Sequence, residues 1–467
     1  MTMDRSVDRL LSWAGLACLL LVLLPAPWLF GAWEMWWFWP LFAVISLGAL
    51  LFGARILLRG EWPRAARRQL PSSPLLGTLN VAAALFLLYA AVRMLQAEVR
   101  MDAERSFLLF LSPVLLGIQI AYGCTAAQRR LLLTALLLNI GLLGLYGLLN
   151  HAVTGSARVM WANAFPQYVQ EGRASGSYYC PDHFAGAVEL GFCGGLALLL
   201  DRRTRWPWRL AGIGLVAVGV IGVILSKSRG GGLTLMVLLA AAPVVGLHSW
   251  QPRRRRGIRV AAFSAAAAAL VLFALSGAPY MTRFKAYFRL DRLRDAPPDK
   301  RLAILSDTLQ HSSRGRMISG ALRAWTTQPV FGIGPGMHQH LWPRFAASPD
   351  GDVEKGIWPT RTNEHFHSYE VHSDWVQLLQ EYGLVGLALL LAPAGLLFAA
   401  LWRLARRAAD GRTPGPPLHA AAVTGLLALI AMAFHSLGDF NLQMPATTWM
   451  LAALVSLPLV PRTARDT

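Results

Sequence analysis

His372, Arg173 and Arg229 carry side chains, and sit in surroundings, that suit them to chemistry. His372 lies in the stretch His367-Ser-Tyr-Glu-Val-His-Ser-Asp-Trp-Val-Gln-Leu-Leu-Gln-Glu-Tyr-Gly-Leu-Val-Gly386, which closes a long polar segment and runs straight into an apolar one. Read as a helix, Trp375, Leu378, Leu379 and Tyr382 share a face, and His372 falls one turn before Trp375 on nearly the same face. An imidazole held at a water–lipid boundary suits proton transfer, because its pKa lies near working pH without special tuning. The plain alternative is a helix re-entering the membrane with a polar first turn. Arg229 stands at the end of an apolar run and is followed by three glycines. A guanidinium matches phosphate with two parallel hydrogen bonds, and backbone N–H groups in a glycine-rich turn add to them. Arg229 and Arg173 facing one pocket would therefore suit a diphosphate. The competing account is that Lys227 and Arg229 snorkel to lipid headgroups.

The remaining histidines of the polar segment, His338, His340, His365 and His367, show neither the spacing of HExxH nor a carboxylate in the place that motif requires. A lone histidine base is thus favoured over a metal site, and no cofactor is expected. Gly332-Ile-Gly-Pro-Gly336 lacks both a preceding strand and a following GK[ST], so it reads as a turn. Asp439, in His435-Ser-Leu-Gly-Asp-Phe-Asn441, suits three roles: sugar hydroxyls, the basic cluster, or a helix cap. Arg316, in a stretch from 301 to 326 that reads as one amphipathic helix, is a further candidate for glycan or acceptor contact.

The elements that must position these residues are membrane spans. Charged residues make up 15% of the chain, against about 25% in soluble proteins, and mean hydropathy is +0.43. Apolar runs near 10–26, 35–58, 74–96, 107–124, 131–150, 183–200, 210–227, 230–248, 258–277, 384–402, 418–435 and 445–460 have about the length needed to cross a bilayer. The expected fold is an all-α polytopic membrane protein of about twelve transmembrane helices. Residues 1–277 would hold spans 1–9, 278–383 a long helical outer segment, and 384–467 spans 10–12. The first span reads as a retained anchor, with no small-x-small cleavage site and with Pro25 and Pro27 behind it. Every second connection is arginine-rich, from Arg55–Arg68 to Arg403–Arg412, which places both termini in the cytoplasm and the polar segments outside. The formal charge of +19 is accounted for largely by these loops, so no nucleic-acid partner is implied. The four cysteines form no CxxC or metal-type spacing.

Ser226-Lys-Ser-Arg-Gly-Gly, Phe331-Gly-Ile-Gly-Pro-Gly, and His372 followed by Glu381-x-Gly-x-x-Gly386 resemble, in this order, the O-antigen ligase and O-antigen polymerase superfamily. Arg173-Ala-Ser-Gly-Ser-Tyr resembles that family's Arg-x-x-Gly loop. The similarity runs from about residue 160 to 450. It implies a metal-independent glycosyltransferase in the bacterial inner membrane, with a periplasmic site and a polyprenyl-diphosphate-linked glycan as donor. The acceptor would be lipid A-core, another glycan or some other hydroxyl. The resemblance assigns diphosphate grip to Arg173 and Arg229 and acceptor activation to His372. Two places depart from the family, His372-Ser373 where His-Asn is frequent and Cys180-Pro-Asp-His183 where an Asn-Pro-Asn-like loop is frequent. Ligase, polymerase and protein O-glycosylation therefore stay open. A transporter of the same lipid is the rival from another class, disfavoured because the charged candidates gather at one face and no internal repeat is visible.

Overall fold

The computed structural model describes residues 4–59, 74–161, 172–247, 256–257, 285, 290–310, 312–345, 368–407 and 418–459. Among them the regular structure is helical. The elements are α1 (Arg5–Leu23), α2 (Met35–Leu58), α3 (Pro74–Gln96), α4 (Arg100–Ile118), α5 (Ala126–Thr154), α6 (Pro181–Leu200), α7 (Trp206–Ser226) and α8 (Arg229–Gly246). Then come α9 (Leu290–Asp295), α10 (Pro298–Gln310), α11 (Ser313–Thr327), α12 (His338–Phe345), α13 (Asp374–Arg407), α14 (Ala421–His435) and α15 (Pro445–Ser456).

Nine of the described helices, α1–α8 and α13, are long and apolar enough to cross a bilayer, whereas α14 and α15 are apolar but shorter. The expected span at 258–277, together with His365 and His367, lies outside the described residues. The stretch 301–326 is two helices rather than one, α10 and α11. Ser312 caps the second by accepting from the Gly315 N–H at 3.0 Å, and that cap starts a new helix where the apolar period alone suggests continuity. Local sequence explains several other boundaries. Thr125 and Gln128 form a reciprocal capping box at the start of α5, and Pro181 opens α6 where its missing N–H costs nothing.

The core is a bundle around α6, which is buried along nearly its whole length and packs on α7, α14 and α8. Successive spans alternate in direction, so one end of the bundle collects the starts of α6, α8, α13 and α15 and the ends of α7 and α14. Described arginines of the basic connections, Arg55, Arg59 and Arg129 among them, lie at the other end. Arg55 and Arg59 pair there with Asp8 at 2.8 and 2.7 Å, and Arg129 donates to the carbonyls of Leu457 and Ala121.

α13 is not one continuous helix. Gly383 has φ +68° and ψ −171°, which breaks the ladder and frees carbonyls and N–H groups on both sides. Segment 329–334 takes them up. Ile333 and Gly334 N–H donate to the carbonyls of Gln380 and Glu381 at 2.9 and 3.0 Å, while Leu384 and Val385 N–H donate to those of Pro329 and Val330 at 3.0 and 3.1 Å. The Glu381 carboxylate accepts from the Gly336 N–H at 3.0 Å. The two glycine motifs therefore dock on each other, and this is the physical use of the turn at Gly332–Gly336. At Gly332, with φ +76°, an added Cβ would lie 2.4 Å from the Glu381 carbonyl. Gly332→Ala should then cost about 3 kcal/mol in positive-φ strain and overlap. Thermal unfolding of the solubilised protein checks this against Gly395→Ala, a site where a Cβ meets nothing within 4 Å. Equal melting of the two variants would contradict the docking.

Candidate functional site

His372 sits outside the helix on which its spacing had placed it. α13 begins at Asp374, and His372 has φ +58°, the left-handed region that few non-glycine residues adopt. Ser373 explains the register, since its Oγ accepts from the Val376 N–H at 3.4 Å in the N-cap manner. Serine is among the good N-caps, as asparagine would be at the same position. The start of α13 is clamped to the α14–α15 loop. The Asp374 N–H donates to the carbonyls of Ser436 and Asp439, its carboxylate accepts from Ser436 Oγ at 2.6 Å and Leu442 N–H at 2.9 Å, and Trp375 Nε1 donates to the Ala433 carbonyl. A positive-φ histidine held by so many bonds is the kind of strained position that collects at functional sites.

These clamps bring His372 Nδ1 to 3.5 Å from Asp439 Oδ1, with the histidine side chain 28% exposed and the carboxylate 1%. Phe440 packs edge-on against both His372 and His183, with ring centroids at 4.8 and 4.4 Å. Of the three roles open to Asp439, contact with the basic cluster is the one observed. Arg314 Nη2 reaches Asp439 at 3.3 Å and Asp182 at 3.1 Å, and His183 Nε2 lies 3.8 Å from Asp439. Burial alone would raise the Asp439 carboxyl. Arg314, His372 and His183 outweigh burial and hold it well below the usual carboxylate range, so it is ionised at neutral pH.

Arg173 closes the network at its other end. Its guanidinium is 7% exposed, donating to Asp182 Oδ1 at 2.7 Å and to the Ser226 carbonyl at 2.7 Å. A chain of alternating charge thus runs from Arg173 through Asp182 and Arg314 to Asp439, beside which His372 sits. Arg229 is half-buried at the first position of α8, three residues beyond the carbonyl that Arg173 holds. Ser228 caps that helix on the Gly231 N–H at 3.2 Å. The glycines after Arg229 serve close packing. A Cβ on Gly230 would meet the His435 ring at 2.8 Å, and one on Gly231 would come within 3.1 Å of Glu189 Oε1. His435 and Glu189 themselves form a fully buried pair at 3.0 Å, inside spans where an unpaired charge would be costly.

Arg314, rather than Arg316, makes the bonds to Asp182 and Asp439. Residues two apart on a helix face different ways, and Arg316 lies half-buried on another side of α11. His338 is tied to Gln380 and Ser368 at 2.9 and 3.0 Å, and His340 to Asp102 at 2.6 Å.

Chemically, the end of the bundle offers a partly accessible imidazole beside an ionised carboxylate, with several guanidinium groups nearby. It is an arrangement for moving a proton next to an anion. Residues 214–391, from within α7 into α13, match the family model described as O-antigen ligase. That match supports the O-antigen ligase superfamily, and with it a membrane protein that processes glycans. No curated protein matches the chain.

Proposed function

We propose that this protein transfers a glycan from a polyprenyl-diphosphate-linked donor to an acceptor hydroxyl at the outer face of the bacterial inner membrane, without a metal. The observation that carries the proposal is His372 at 3.5 Å from the buried Asp439, in a charge network at one end of the bundle. The choice of membrane side is supported by Arg55, Arg59 and Arg129, which lie at the opposite end and by the positive-inside rule belong in the cytoplasm.

The acceptor oxygen attacks the anomeric carbon as the bond from that carbon to the diphosphate oxygen breaks. The acceptor proton passes to His372 Nε2, while Asp439 beside Nδ1 keeps the ring in the tautomer that leaves Nε2 as base. Polyprenyl diphosphate departs as an anion. Arg229 and Arg314 stabilise the charge that builds on it, and they do so best where water is excluded. Arg173 acts as a positioning residue, fastening Asp182 and the Ser226 carbonyl so that the Lys227–Arg229 turn faces the donor.

Arg229→Lys tests the diphosphate grip. A point charge cannot reproduce the bidentate fork, so turnover of purified protein on a lipid-linked donor should fall about 100-fold although the charge is kept. Turnover at the wild-type rate would assign Arg229 to lipid headgroups instead.

A further inference from the structure

A cavity of about 400 Å³ lies between α3, α4, α13 and α15, on the far side of Phe440 from the arginine network. One face of α4 and of the helical turn Gln119–Gly123 that continues it lines the cavity from Asp102 to Ala121. At 1.5 Å per residue that is about 30 Å, close to the thickness of a bilayer's hydrocarbon core. Its long wall is apolar, with Leu109, Val114 and Ile118 facing Leu397 and Val455. The end nearest His372 is polar, carrying Asp102, Glu370, Asp374, Gln377, Glu381 and Gln443. Trp33 also lines it, and its ring lies 6.0 Å from that of Phe440, which packs on His372. The polar mouth therefore reaches Trp33, one ring from Phe440 and two from the proposed base.

Charge decides what this mouth accepts. Among the described lining residues Arg105 is the one cation, and its guanidinium is engaged with Trp33, stacked at 4.3 Å and donating to the carbonyl at 2.9 Å. With that guanidinium engaged and four carboxyl groups around it, the mouth offers a diphosphate little to grip, whereas Arg314 and Arg229 stand across Phe440. Carboxylates, amides and indole faces are instead the groups that hold a hydroxyl-rich ring. Burial, aided by the neighbouring Glu381, pushes Glu370 up to about 8 against the hydrogen bond from Gln377, so this carboxyl both donates and accepts near neutral pH.

The geometry points to the acceptor site: the mouth holds the sugar of an uncharged glycolipid, and the apolar slot holds its hydrocarbon chain. The acceptor hydroxyl then meets His372 from one side of Phe440 and the donor diphosphate arrives from the other. The name "acceptor" rests on the transfer reading above, whereas occupancy of the slot does not.

The test is photolabelling in lipid nanodiscs with two probes, a hexadecyl glucoside and a polyprenyl diphosphate, each with a diazirine in its chain. The glucoside should label α4 and α15 along the slot. Labelling should drop at least tenfold in Ala83→Trp and in Val114→Trp, which fill it, and excess polyprenyl diphosphate should not compete. The wild-type labelling map and its competition stand alone if either variant fails to fold. Labelling of the slot by polyprenyl diphosphate, or displacement of the glucoside by it, would make this the donor's tail site and overturn the proposal. Absence of glucoside labelling from the slot would do the same. Slot labelling without any glycan transfer by the same preparation would instead sink the transfer reading.

Discussion

His372→Ala should lower glycan transfer by about 10²–10⁴-fold, the usual contribution of a positioned general base, or roughly 3–5 kcal/mol of barrier. Donor binding and thermal stability should stay close to wild type. The side chain is the most exposed member of its network, and its removal leaves the bonds that clamp α13 to the α14–α15 loop untouched. Relief of positive φ by alanine is small, so a large stability change is not expected from the backbone either. His151, which bonds Ser156 Oγ at 3.0 Å at the end of α5, is the natural control, and His151→Ala should transfer glycan at nearly the wild-type rate. The comparison is initial rates on one lipid-linked donor, with binding measured separately. Unimpaired transfer by His372→Ala would make the residue structural.

Asp439 should show the second large effect, and of a different kind. Its carboxylate is 1% exposed and faces Arg314, His183 and His372, so Asp439→Ala takes a counter-charge from the Arg314 guanidinium and the neighbouring carboxylate from both imidazoles. Breaking such a buried pair typically costs about 3–5 kcal/mol. Asp182 still holds Arg314 at 3.1 Å, which favours the low end of that range. Activity should fall at least 100-fold. Asp439→Asn separates the two roles, because it keeps the shape but not the charge that fixes the His372 tautomer. It should regain much of the stability and little of the rate, read by thermal unfolding beside initial rates. Parallel recovery of both would leave Asp439 a purely structural acid.

Much of the bundle is legible in the sequence because membrane spans announce themselves by length and hydropathy. The starts of α2, α3 and α8 fall within a residue of the expected runs. α14 and α15 come out shorter than their apolar runs, since length of hydrophobicity does not say where the ladder ends. The site was half legible. Residue type and motif single out His372, Arg173 and Arg229, and the structure joins the first two in one network, but the helical reading of His372 misses that Ser373 is an N-cap, which moves the imidazole off the helix face. Arg314 was passed over in favour of Arg316, because a broken helix changes which arginine faces inward. Asp182, His183 and Glu189 did carry a signal, as titratable residues in the first turns of an otherwise apolar span are costly without a partner. The slot left no signal. Its walls join α3 and α4 to α13 and α15, which lie far along the chain, and a leucine facing a cavity looks like one facing lipid.

The proposed chemistry cleaves the donor, whereas a carrier would move it whole, and that difference is directly measurable. Purified protein in proteoliposomes is supplied with a polyprenyl-diphosphate-linked glycan and a hydroxyl acceptor, and free polyprenyl diphosphate is counted against glycan joined to acceptor. The account predicts one diphosphate released for each glycan transferred, unaffected by a chelator and abolished by His372→Ala. Donor that crosses the bilayer intact, with no diphosphate released, would contradict it.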